Sequence, residues 1–391
     1  MAQQPTLRTT SPRRAVVIRF QPDDKHGIRE ATALAEAGFD VDLIMLRSVA
    51  ATRFDDLDPR VRVVEAPLTK RRGSPVRYAF EYSVWFAFCT LWLTKESLRR
   101  RYAYVQVDSL PDHQVFCAAI PKLLGARVGL FLKEPTKELC QSMTGSSLIA
   151  TLAGWVALRS IAFADVAFCV TEPHRQSYVD QGAPPEKLHV VLNATQPFPR
   201  RRRSREPDDG AFVVVCHGTI EKRYGHTTIV EAAKLARAEV PGLSVRLPGR
   251  GTYADDLAET IKRSGLSETV SLDGWLAEDE LAQLLADADV GVVAQSANQY
   301  SHLVHTLKMY DYMSAGVAVV ASRLTATESL FPTEVTYFEP GDAADLARVW
   351  VALSTDRQRQ QEQVDACHCR LAELGWEAQM KIMVNAISAS F

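Results

Sequence analysis

The sequence predicts an α/β protein built from two successive βα arrays, each a Rossmann-like domain. Three observations carry that expectation. Short apolar runs rich in Val, Ile and Leu recur through almost the whole chain with little alternation, which is how parallel strands buried on both faces read. Amphipathic stretches of helical period separate them, so each strand is followed by a crossover and the sheets are parallel. The rhythm breaks at Pro197 to Gly210, where PFPRRRRSREPDDG carries prolines, an arginine cluster, acids and a glycine without apolar periodicity. That texture is a linker. A basic run in a linker is expected to be solvated, with no ligand assigned to it.

In the first array the candidate strands are Ala15–Arg19, Val41–Leu46, Val61–Glu65, Tyr104–Val107, Arg127–Leu132, Val166–Val170 and Leu188–Leu192. Ile28–Ala37 reads as a helix ended by Gly38, a residue suited to the position just past a helix. Tyr82 to Leu93, YSVWFAFCTLWL, is apolar for only twelve residues, with Glu81 and Lys95 bounding it. A bilayer span needs roughly 17–20. Two readings stay open for it. One is a buried helix. The other is an interfacial helix, with Lys70, Arg71, Arg72 and Arg77 before it and Arg99, Arg100 and Arg101 after, giving a peripheral membrane contact through 70–101.

In the second array the strands are Phe212–Cys216, Leu243–Leu247, Val270–Leu272, Val290–Val293, Val317–Ala321 and Val335–Phe338. Helices are Thr227–Glu239, Tyr253–Ser264, Asp279–Ala286, Lys308–Ser314 and Ala343–Ser354. Two final helices, Arg357–Leu374 and Trp376–Ser388, follow the completed sheet. Ligands in such sheets bind beyond the carboxyl ends of the strands.

Composition excludes several classes. Of 391 residues, 47% are hydrophobic and 24% charged, ordinary for a globular chain and unlike disordered, collagen-like or disulfide-knot proteins. A formal net charge of −2 argues against a nucleic-acid coat. The seven cysteines are odd in number and scattered, as expected of reduced thiols. Cys367-His368-Cys369 lacks a second ligand pair, and adjacent helical residues point apart, so no metal site is assigned there. Met1 to Arg14 has no apolar stretch of signal-peptide type, so a cytoplasmic location is expected, with the inner membrane face as the alternative if the interfacial reading holds.

The chemistry-bearing loops exclude some activities and favour one. The first strand runs into RFQPDDKHGIREA, without the glycine fingerprint of dinucleotide binding, and no Walker loop or G-x-S-x-G elbow occurs. Strand Phe212–Cys216 runs into HGTIEKRYGHTTIVEA, where Gly218 permits close backbone approach, Lys222 and Arg223 lie in the loop, and a helix starts after Gly225. A guanidinium beside a helix start suits a pyrophosphate; a surface Lys-Arg pair is the ordinary alternative. In HLVHTLKMYDYMSAGVAVVASRL, Lys308 and Asp311 share a helix face just before a buried strand. A cation for phosphate and a carboxylate for ribose hydroxyls fit a sugar nucleotide; a surface ion pair is the competing reading.

The ordered set HGTIEKRYG, EAAKLARAEVPGLSVRLPGRG, VSLDGWLAEDELAQLLADADVGVV and LKMYDYMSAGVAVVAS resembles the nucleotide-binding domain of the retaining glycosyltransferases of family four, the group-one class with the GT-B fold. The first array is similar in texture through IREATALAEAGFDVDLIML, AIPKLLGARVGLFLKEPTKEL and VTEPHRQSYVDQGAPPEKLHVVLNAT. The resemblance implies two Rossmann-like domains facing across a cleft. Its layout is a flexible tail over 1–13, an acceptor domain over 14–196, a linker over 197–210, a nucleotide-sugar domain over 211–374, and a C-terminal helix over 375–391 crossing back to the first domain.

It also implies roles. Arg223, Lys308 and Glu134 are the catalytic candidates. Gly218, Thr219, Gly249, Arg250, Gly251, Gly274, Trp275, Leu307 and Asp311 are the donor-binding candidates, with Gly274 and Trp275 toward the base and Asp311 toward the ribose. His26, Gly27 and Lys133 lie on the acceptor side. No metal and no cofactor is implied; the donor is a nucleoside-diphosphate sugar, UDP-sugar favoured, and the transferred group a hexose or N-acetylhexosamine.

The sequence departs from the family in four places, one of them the stretch LVHTLK, which lacks the usual proline before the lysine. Leu303 stands where a Glu usually precedes the second acid by eight residues, that acid is the shorter Asp311, and Phe131-Leu132-Lys133-Glu134 carries Lys133 in place of a histidine. A catalytically impaired relative that binds a sugar nucleotide or a partner protein is therefore the alternative, and a sugar-nucleotide epimerase of the same architecture a third reading. The asp-x-asp spacing of Asp287-Ala288-Asp289 reads as the run into a buried strand rather than as a metal site.

Overall fold

The computed structural model describes residues 13–22, 25–47, 57–69, 75–194, 198–206 and 210–391. Lys70, Arg71 and Arg72 of the basic run, most of the N-terminal tail, and parts of the linker lie outside them.

By contacts the chain divides into two units. The first runs to Val170 and adds Arg175–Val191 and Met380–Phe391; the second comprises Thr171–His174 and Leu192–Gln379. The first unit holds strands β1 (Arg13–Arg19), β2 (Phe39–Leu46), β3 (Val61–Ala66), β4 (Tyr104–Asp108), β5 (Arg127–Leu132), β6 (Val166–Cys169) and β7 (Leu188–Val190). They form one sheet in the order β3-β2-β1-β4-β5-β6-β7, with every neighbouring pair parallel. The second unit holds β8 (Phe212–Val215), β9 (Gly218–Thr219), β10 (Leu243–Arg250), β11 (Val270–Gly274), β12 (Val290–Val293), β13 (Ala318–Ser322) and β14 (Thr336–Phe338). Its order is β11-β10-β8-β12-β13-β14, again parallel, with β9 paired to the end of β10. In both sheets the strand order reverses beside the first strand of the array, which is where such folds bind ligands. Strands β4, β8 and β12 are buried along their length and β1 from Ala15 onward, because crossover helices cover both faces.

Helix Pro75–Arg99 extends the apolar run at both ends. Trp85, Cys89 and Leu93, four residues apart, lie in the core against the sheet. Phe80, Leu91 and Leu98 are exposed on another stripe. The buried-helix reading thus describes one face of this segment, and the other face is an open apolar ridge. Among the described residues no helix is long and apolar enough to cross a membrane.

Helix Trp376–Ala389 leaves the second unit and ends in the first. Its Met383 and Ile387 are buried, and after it Phe391 stacks on Phe39 at 6.3 Å between ring centroids, with the Arg13 guanidinium 5.0 Å from its own.

The basic run departs from expectation. Arg200, Arg201 and Arg202 are exposed, but Arg203 and Arg205 are anchored on a buried acid. Asp289, whose side chain is fully buried just before β12, receives Arg203 Nη2 at 2.7 Å, Arg205 Nη1 at 3.2 Å, the Arg357 guanidinium, and the Val213 amide at 2.7 Å. Asp287 accepts from the Ser204 amide at 2.6 Å and its hydroxyl at 2.7 Å, and Arg201 pairs with Asp279. The cause is the cost of a buried carboxylate, which only countercharge and hydrogen bonds offset. Burial alone would raise the Asp289 pKa; the Val213 amide and the Arg203 and Arg357 guanidiniums hold it below the ordinary carboxylate range. Both carboxylates of the asp-x-asp sequence are thereby committed to the linker. Cys367 is buried and its thiol donates to the Glu334 carbonyl at 3.2 Å, while Cys369 is exposed.

Candidate active site

In the second unit, β8 runs through Cys216 and His217 into β9, which pairs with β10 in the register Gly249↔Gly218 and Arg250↔Thr219. This close approach is what requires glycine. A Cβ on Gly249 would lie 1.8 Å from the Gly218 carbonyl oxygen, and one on Gly251 would lie 2.0 Å from that of Ile220. Gly218 has φ +104°, and a Cβ there would stand 3.0 Å from Lys308 Cε. The lysine side chain therefore lies across a bare stretch of backbone. Arg223 sits in the turn Lys222–Tyr224, closed by Gly225 at φ +70° before helix His226–Ala236.

Lys308 opens helix Lys308–Ala315, with Leu307 just before it. Lys308 and Asp311 share a face, but the surface ion pair does not form. Lys308 Nζ lies 4.0 Å from Cys216 Sγ and 5.0 Å from the centroid of the Tyr224 ring. Arg223 Cζ lies 5.1 Å from the same centroid. One aromatic ring thus holds two cations, each attracted by its quadrupole. Among the described residues neither cation pairs with a carboxylate. Two like charges gathered without a counterion make a site for an anion.

The electrostatics of the neighbours follow. Burial works against ionisation of the Cys216 thiol, but Lys308 and His226 outweigh it and bring its pKa down to about 7. Burial and then Lys308 push His217 down to about 3, so its imidazole is neutral. Burial, with Glu278, raises Asp311 to about 7. His217 Nε2 faces Asp311 Oδ2 at 3.5 Å. At the end of β11, Gly274 at φ +69° turns the chain so that Trp275 projects, 65% exposed, under the Arg250 guanidinium at 4.5 Å.

In the first unit the acceptor-side candidates surround a buried charge cluster. Arg19 at the end of β1 pairs with Glu30 at 3.4 Å and with Asp108 at the end of β4. Lys133, just after β5, reaches Asp108 at 3.0 Å and Glu30 at 3.9 Å. Glu30 is wholly buried. Lys133 therefore neutralises internal acids. A Cβ on Gly27 would stand 2.6 Å from Arg19 Cγ, so Gly27 makes room for that arginine; His26 precedes it in helix Lys25–Glu36. Glu134 follows Lys133 and is half-buried, its carbonyl accepting from Thr136 Oγ1 at 3.4 Å and Tyr178 Oη at 3.5 Å.

The second unit thus gathers Gly218, Thr219, Gly249, Arg250, Gly251, Lys308 and Asp311 around the ends of β8 and β10, links Arg223 to Lys308 through Tyr224, and sets Trp275 beside Arg250. Glu134, His26, Gly27 and Lys133 belong to the first unit. Sequence reasoning passed over Tyr224, His217, Cys216 and the Arg19–Glu30–Asp108 cluster. An aromatic directly after Arg223 and a charge at the end of each of two buried strands were the available signals.

The family model for group 1 glycosyl transferases matches residues 211–356, and that for the glycosyl transferase 4-like domain matches residues 29–194. The chain belongs to the group-1 glycosyltransferases. Its two parallel-sheet domains are those of the GT-B fold, and solved glycosyltransferase structures share it. Sucrose-phosphate synthase from Thermosynechococcus elongatus is 16% identical with a TM-score of 0.74, covering 96% of this chain and 98% of that one. An α,α-trehalose-phosphate synthase (UDP-forming) from Burkholderia vietnamiensis is 13% identical with a TM-score of 0.72, covering 97% and 98%. The Anabaena protein HepE, in a structure with UDP-glucose, is 13% identical with a TM-score of 0.68, covering 96% and 99%. No curated protein matches the chain. At these identities the solved structures speak for the fold of this glycosyltransferase.

Proposed function

We propose that this glycosyltransferase moves a hexosyl or N-acetylhexosaminyl group from a UDP-sugar to an acceptor hydroxyl or other nucleophile, with retention and without a metal. The convergence of Arg223 and Lys308 on one ring, with no carboxylate on either among the described residues, carries the reading. Breaking the sugar–phosphate bond puts negative charge on the departing diphosphate. Fixed cations stabilise that charge most in the transition state, where it is largest. Asp311 holds the ribose and the exposed face of Trp275 receives the base. The sugar carbon passes through an oxocarbenium-like state, and the acceptor attacks on the face the diphosphate leaves. Glu134 acts on the acceptor side. UDP-glucose in the HepE structure supports the choice of donor.

A thermal-shift series with UDP-, GDP- and dTDP-sugars tests the donor. A ligand at 100 times its Kd adds about 2.7 kcal/mol. UDP-sugars are expected to raise the melting temperature most; no shift with any of them counts against the reading. Because two cations supply the charge and Asp287 and Asp289 are bound to the linker, activity is expected to persist in EDTA. Loss on chelation, restored by Mg²⁺ or Mn²⁺, would overturn the metal-free mechanism.

The open ridge of helix Pro75–Arg99 supports a peripheral contact with an anionic lipid surface. Phe80, Leu91 and Leu98 fall within about 20° of one another at 3.6 residues per turn, and Arg77 and Lys95 flank them, the arrangement in which basic stems reach past an apolar stripe to phosphate. Co-sedimentation with vesicles containing phosphatidylglycerol is expected, and Phe80→Asp with Leu91→Asp should remove it. Equal recovery with the wild type and the double variant would exclude this surface.

A further inference from the structure

His217 is the residue of the donor site whose chemistry nothing above employs. Its side chain is 10% exposed and its Nε2 has no hydrogen-bond partner. Its orientation is held from two sides: the backbone N–H donates to Tyr312 Oη at 3.2 Å, and the imidazole stands edge-on to the Tyr312 ring at 5.1 Å and 83°. The unpartnered nitrogen faces Asp311 Oδ2 at 3.5 Å without a hydrogen bond between them. A buried polar nitrogen left unsatisfied carries a desolvation cost that a ligand hydroxyl removes.

We infer that His217 is a further donor-binding residue, which together with Asp311 grips the two adjacent hydroxyls of a ribose, so that the site takes ribonucleoside rather than deoxyribonucleoside diphosphate sugars. The inference rests on the donor reading of Asp311 proposed above. A cis-diol presents two hydroxyls side by side, and the pair presents one carboxyl group, which accepts when ionised and also donates when protonated, beside one imidazole nitrogen. The imidazole is neutral, so Nε2 accepts from a hydroxyl or donates to it according to its tautomer. Lys308 extends over Gly218 to Cys216, the residues on either side of His217, which sets the phosphate cation next to the diol grip, as the phosphate stands next to the ribose in a nucleoside diphosphate. Sites built to bond a hydroxyl reject the analogue that lacks it, because their buried polar groups are left unpaired.

Calorimetric titration of the full chain with UDP, 2′-deoxy-UDP and 3′-deoxy-UDP tests this. Each deoxy analogue is expected to bind the wild type about tenfold more weakly than UDP, the loss of one net hydrogen bond. His217→Phe keeps the edge-on contact with Tyr312 and removes Nε2. It should bind UDP about tenfold more weakly and lose the preference over one of the two analogues while keeping it over the other. His217→Asn, which restores a polar group, should bind UDP better than His217→Phe, and melting curves of both variants report their folding. If His217→Phe binds UDP as the wild type does with both preferences intact, the inference is wrong. Should the wild type bind all three nucleotides equally, the diol grip is absent. Failure of the wild type to bind any of them would instead remove the donor reading, and this inference with it.

Discussion

Lys308→Ala is expected to slow donor turnover by about 10²-fold or more, the scale of losing one preorganised transition-state donor, and Arg223→Ala by a similar factor. Lys308 lies across Gly218, where no other side chain intrudes, and its ammonium stands 4.0 Å from Cys216 Sγ and over the ring that also holds Arg223. A cation placed where leaving-group charge develops contributes more to kcat than to ground-state binding. The measurement is sugar release from UDP-glucose or another responsive UDP-sugar at saturating donor, with circular dichroism to show intact folding. In the proposed mechanism both cations act on one diphosphate, so the double variant should lose less than the product of the single losses. Wild-type rates in both single variants would show that these side chains do not serve the reaction.

Arg19→Met is expected to destabilise the first unit by about 3–5 kcal/mol, the usual cost of removing one partner from a buried ion pair. Its partners Glu30 and Asp108 are 0% and 5% exposed, and among the described residues only Lys133 would remain to neutralise them. Urea unfolding followed by fluorescence reads the loss. Adding Glu30→Leu should recover most of it, because replacing both members of a buried pair with apolar side chains is commonly near neutral. A change under about 1 kcal/mol in Arg19→Met would mean that the cluster is solvated in solution. The cluster also explains the departure at Lys133: in this chain a lysine in that place closes an internal charge balance.

Much of the architecture was legible in the strands. Ala15–Arg19, Arg127–Leu132 and Val290–Val293 are local runs whose only polar residues stand at an end, so composition alone marks them. Helix Ala343–Ser354 coincides with its sequence-derived limits because its period and the Asp342 cap are local signals. Other features depend on partners far along the chain. Strand β9 is two residues, Gly218 and Thr219, and exists only because β10 offers a paired edge. Arg203 looked solvated because its partner Asp289 lies 86 residues away and is buried only once β12 forms.

The sequence by itself determined two parallel βα arrays, the glycines at the ends of β8 and β10, and the basic and acidic residues available to a sugar nucleotide, since each is written in local periodicity or in residue type. The tertiary structure decided which charges were already spent and which remained. Lys308 might have paired with Asp311 along one helix turn; instead it extends over Gly218 to Cys216 and Tyr224, while Asp311 turns to His217. Arg203 and Lys133 are consumed by buried acids because an enclosed carboxylate must be neutralised, whereas among the described residues Arg223 and Lys308 meet no acid where they converge, and an unneutralised pair of cations is what the proposed anionic donor would require.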